Sequence, residues 1–138
     1  MYLLGFPLLL IIFAIYNIIA FLMPGVSWTA PLTHVHMVSG AEWTMSAGEI
    51  LIAFAVILLF GEMLKSTRIA MRTVLDHALS LLLFLAMLVE FLLVGQASTG
   101  TFFLLLVISF VDVIGGFAVA LRSAQRDLTV EGAERTVS

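Results

Sequence analysis

Four side chains sit where chemistry would have to be done inside apolar surroundings: Asn17, Glu49, Glu90 and Asp112. A charged group at the centre of a membrane helix costs about 2.5–3.5 kcal/mol on insertion scales, so such groups turn toward protein or water. Carboxyls taken out of water near one another can exchange protons or hold a cation. They can equally hydrogen-bond across helices as packing contacts, worth about 0.6–2 kcal/mol each. Both readings apply to this set, as a proton or cation site or as helix-packing polar groups.

A second set lies outside the apolar runs, in His34-Val35-His36-Met37. In an extended segment His34 and His36 point to the same side, as two imidazole ligands need. Glu42 is the expected third metal ligand, with Met37 or Met45 as alternatives; a carboxylate suits zinc and a thioether suits Cu(I). The competing reading is a pair of surface or pH-sensing histidines.

The remaining chemistry is thin. The chain has no cysteine, so it has no disulfide, thiolate site or cysteine nucleophile. It has no P-loop, dinucleotide fingerprint, HExxH or GxSxG motif, and only His77 lies within a span, which does not suit bis-histidine haem. No enzyme is expected, and the sequence leaves any cofactor unknown. A net charge of −3 gives no basic surface for nucleic acid.

What must position these residues is a membrane bundle. Of 138 residues, 62% are hydrophobic and 11% charged, against about 45–50% and about 25% in soluble domains. The excess falls in long runs that predict an all-α integral membrane protein with four transmembrane helices, at about 3–23, 43–64, 74–94 and 102–121. The first run lacks a basic n-region and is longer than a signal-peptide core, so it reads as a retained helix. All six basic residues, Lys65, Arg68, Arg72, Arg122, Arg126 and Arg135, lie after the second run or after the fourth. That asymmetry predicts both termini inside, in a bacterial-type plasma membrane, with residues 24–41 as an outward-facing interfacial loop bracketed by Trp28 and Trp43. The domain is expected to span 1–121, followed by a polar cytoplasmic tail, 122–138, that is at least partly disordered.

Helical spacing then sorts the polar residues into stripes. Glu42, Ser46 and Glu49 would share one face of the second helix, Asp76, Ser80, Met87 and Glu90 one of the third, and Ser109, Asp112 and Gly116 one of the fourth. Thr73 to Asp76 has capping-box spacing, and Glu62 with Lys65 reads as an interfacial anchor. The expected partners are the lipid bilayer and other membrane protein chains, as a homo- or hetero-oligomer. The function expected first is a non-enzymatic accessory, assembly or regulatory subunit of a larger membrane complex. The alternatives are an oligomeric proton- or cation-coupled transporter or channel, and an outward-facing metal-binding protein.

Overall fold

The computed structural model describes residues 7–66 and 72–137. Four helices carry the fold: α1 (Leu9–Leu22), α2 (Ala47–Ser66), α3 (Arg72–Leu93) and α4 (Gly100–Val137). Three of them contain a stretch long and apolar enough to cross a membrane, at Ala47–Leu64, Leu75–Leu93 and Gly100–Ala118, and α1 is a shorter apolar helix. The outer surface of the bundle is apolar, with Ile57 and Phe60 of α2, Leu82 and Leu92 of α3, and Phe110 and Ile114 of α4 all exposed. Such a surface is what a helix bundle shows when lipid rather than water surrounds it.

The chain is not purely helical. Residues Pro31–His36 (β1) and Glu42–Ser46 (β2) form an antiparallel hairpin, with His34 opposite Thr44, Val35 opposite Trp43 and His36 opposite Glu42. Two bonds close its turn: Met37 N donates to Ala41 O at 2.8 Å, and Gly40 N donates to Met37 O at 2.9 Å. Gly40 sits at φ +91°, the left-handed position that a three-residue loop with a bulge requires. The interfacial loop expected over 24–41 therefore folds back on the next five residues, Glu42–Ser46. The second helix starts at Ala47 rather than 43, which removes Glu42 from any helical face shared with Glu49.

Two further expectations change. Helix α4 runs unbroken to Val137, so the segment expected to be a partly disordered tail continues the helix. At about 1.5 Å per residue its 38 residues reach about 57 Å, well past the roughly 30 Å of a bilayer core. Helix α3 begins at Arg72 and has no acid in its first turn, so Asp76 does not cap it; residues 67–71, which precede it, lie outside the described residues.

Packing fixes how the helices lie against one another. Gly48 of α2 abuts Thr101 of α4, and Met63 of α2 abuts Gly115 of α4, so these two helices run parallel in close register. A Cβ on Gly48 would meet the Thr101 side chain and stand 2.9 Å from the Trp28 carbonyl oxygen, which is why the contact needs glycine. Helices α3 and α4 are antiparallel. Their ring pairs, Phe91 with Phe102, Phe84 with Phe110 and His77 with Phe117, have centroids 6.1, 5.7 and 6.5 Å apart. The core lies along these seams and under the buried face of α1, and its largest fully buried side chains are Tyr16, Phe102, Ile12 and Met87.

Candidate functional site

The four polar residues singled out within the apolar runs do not meet at one place. Glu49 is exposed and belongs to the helix start: Ser46 N donates to Glu49 Oε2 at 3.0 Å, and Glu49 N donates to Ser46 Oγ at 3.3 Å. This is a reciprocal capping box, which satisfies two backbone donors that a helix N-terminus leaves open. Substituting Ser46 by alanine is expected to cost about 0.5–2 kcal/mol, and Glu49→Ala somewhat less. Amide exchange at residues 46–50 checks this, since unchanged protection in both variants would remove the box as the reason α2 begins there.

Asn17 and Glu90 do come together. The Asn17 side chain lies beside the Glu90 carboxyl, and Asn17 Nδ2 donates to the Phe13 carbonyl at 2.9 Å. Asn17 Oδ1 and Glu90 Oε2 are buried beside this contact with no hydrogen-bond partner among the described residues. A Glu90 that carries a proton can offer it to an acceptor here. One that has lost it leaves two acceptors in an apolar setting, an arrangement with a cost.

Tyr16 stands next to this pair, and sequence reasoning did not single it out. It is 0% exposed, and its hydroxyl donates to the Gln96 carbonyl at 2.9 Å while lying 2.7 Å from Thr99 Oγ1. Its ring stacks on Trp28 with centroids 4.5 Å apart and meets Phe102 edge-on at 4.9 Å. Trp28, expected at the water–lipid boundary, is instead 7% exposed, and its carbonyl accepts from Gly48 N at 3.0 Å. One ring thus joins α1, the loop before the hairpin, the α3–α4 link and α4. Thr99 adds a second bond by accepting from Phe102 N at 3.1 Å at the start of α4.

Asp112 is buried, at 5% exposure, and lies deeper. The α3–α4 ring pairs put Glu90 level with about Leu104, so Asp112 sits about eight residues, or roughly 12 Å, further from the hairpin end. Its stripe on α4, through Thr101, Ile108 and Gly115, is the one that faces α2. Across from it, within about one turn, is Glu62, which is 6% exposed. The Glu62 carboxylate accepts a hydrogen bond from Leu8 N, at the N-terminus of α1. Leu8 is the residue before the first helical position and has no side-chain cap of its own. An acid there satisfies an open N–H and meets the positive end of the helix dipole. Glu62 is thus a buried cap on another helix rather than only a boundary anchor, and the Lys65 side chain expected to pair with it lies outside the described residues.

Stripes on the longer helices hold as spaced. Ser80, Met87, Ser109 and Asp112 are all buried. Asp76 Oδ1, His77 Nε2 and Ser109 Oγ are buried without a hydrogen-bond partner among the described residues.

The histidines lie on β1, exposed, with Glu42 directly across from His36. Among the described residues no three His, Cys, Asp or Glu side chains converge as a metal cluster. The polar groups therefore fall at three levels: hairpin and capping box at one end, Tyr16–Asn17–Glu90 in the adjoining half, and Glu62–Asp112 toward the other end. The chain matches no family model, no curated protein and no solved structure.

Proposed function

We propose that this chain is a four-span integral membrane protein with both termini on the cytoplasmic side, working as a non-enzymatic accessory or assembly subunit of a larger membrane complex. The observation that carries this is the use made of the acids. Glu49 caps α2 and Glu62 caps α1, so these two acids serve the fold instead of joining a path across it. A transport route needs polar groups that follow one another through the bilayer. Support for partnership comes from the ends: an exposed hairpin at one, and at the other a helix that outruns the membrane thickness. Helix α1, with the apolar residues that precede it, supplies the fourth span, and the basic residues between α2 and α3 set the orientation.

Purification in mild detergent from its native membrane is expected to yield the chain with one or more other membrane proteins at fixed stoichiometry. A chain that purifies only as a homo-oligomer and carries proton flux in liposomes, with the flux abolished in Glu90→Gln or Asp112→Asn, would replace this reading with a transporter. Glu49→Gln is the uninformative choice for that assay, because the capping box uses that residue.

A further inference from the structure

We infer that the β1–β2 hairpin is a binding site for a divalent ion of the zinc class, held by His34, His36 and Glu42. The strand register carries this. Because Met37 and Ala41 are joined by the first hydrogen bond after the turn, the next pair, His36 and Glu42, is a non-hydrogen-bonded pair, and so is His34 with Thr44. Side chains at such pairs approach most closely, with Cβ atoms about 4.5–5.5 Å apart. His34 and His36, two residues apart on one strand, lie on the same face about 6.6 Å from one another. All three donors therefore project from one face of one small ribbon.

The same register decides which metal. Met45 is opposite Thr33 and shares its face with Val35 and Trp43, so no thioether from β2 joins the histidines. Two imidazoles and a carboxylate remain. That donor set suits zinc, with its fourth position open to water, and not Cu(I). The donors are exposed, and among the described residues no hydrogen bond or ion pair holds them elsewhere. They do not converge in the conformation described, and bringing them onto one ion takes rotation about exposed side-chain bonds, with no change in the backbone. A two-stranded hairpin is only marginally stable alone. A cross-strand ion adds binding free energy to its folding, tying Glu42, four residues before the Ser46 cap of α2, to the preceding strand.

The test is zinc titration of the full chain in detergent, without an affinity tag containing histidine. One equivalent of zinc should bind. His34→Ala and His36→Ala should each weaken it by at least about tenfold, the lower end of what even an indirectly supporting residue costs a metal site. Glu42→Gln should weaken it measurably, and Thr33→Ala, on the opposite face, should not. Amide exchange serves as the second readout: zinc should slow exchange across residues 33–45 of the wild type and leave the His34→Ala hairpin unchanged. Absence of stoichiometric zinc binding overturns the site. So does equal binding by the histidine variants, and full binding by Glu42→Gln rules out the cross-strand ligand set.

Discussion

Replacing Tyr16 by alanine is expected to lower the stability of the bundle by about 3–5 kcal/mol, the range for truncating a buried aromatic. The ring is fully enclosed, and its removal opens a cavity between α1, α4 and the loop that carries Trp28. That cavity cannot close easily. Trp28 is fixed by its carbonyl bond to Gly48 N, and Gly48 is itself pressed against Thr101. Stacked and edge-on aromatic contacts add about 0.5–1.5 kcal/mol beyond area, and Tyr16 makes one of each. Tyr16→Phe separates the ring from the hydroxyl. It keeps the packing, strands the Gln96 carbonyl and removes a partner of Thr99, for an expected loss of about 1–2 kcal/mol. Denaturant unfolding in detergent measures both. A Tyr16→Phe variant as stable as the wild type would mean the α3–α4 link is not held through the hydroxyl, and a loss below about 1 kcal/mol in Tyr16→Ala would mean the ring is not the joint between these elements.

Long apolar runs made the helices legible, because about twenty residues so poor in charge can do little else. Where the helices begin depends on shorter-range chemistry. Trp43-Thr44-Met45 is apolar enough to extend a span, yet it is β-prone, and Ser46-Ala47-Gly48-Glu49 is a capping box written in the sequence. Reading that box would have placed the start of α2 and taken Glu49 out of the buried set in one step. The hairpin also had its signal, alternation through Thr33–Met37, then Ser39-Gly40, then alternation again. The length of α4 was less open to reading. Leu, Ala, Arg, Gln and Glu in residues 121–135 favour helix, while the polarity of the same residues argues for solvation.

The candidate site divides in the same way. Spacing put Asp76, Ser80, Met87 and Glu90 on one stripe of α3, and Ser80 and Met87 are buried. Spacing could not say which stripe meets which. The ring pairs of α3 and α4 set Asp112 about eight residues from Glu90, a separation that spacing along a single helix does not give. Nor does spacing give Tyr16 with Gln96 and Thr99, since these residues are 80 or more positions apart and look like an interfacial tyrosine and an ordinary polar link.

Glu62 shows the same limit with an energetic consequence. Beside Lys65 in the sequence it resembles a boundary anchor, and anchors of that kind contribute little. Buried and bonded to Leu8 N, it holds the first open donor of α1, since Pro7 has no N–H to offer. Glu62→Ala should therefore cost about 2–3 kcal/mol, combining a lost charge-assisted bond with a stranded donor. Glu62→Gln keeps an oxygen that can accept, and should cost less than half as much. A cap and an anchor are told apart by where the damage appears. Loss of the cap should speed amide exchange at Leu8 and Leu9, about 54 residues away in sequence, while leaving residues 60–64 of α2 protected. If Glu62→Ala instead frays the end of α2 and leaves α1 unchanged, the carboxylate is an anchor for its own helix. If exchange at Leu8 rises equally in the Gln and Ala variants, it is the charge at the helix N-terminus, rather than the bond, that holds α1 in the bundle.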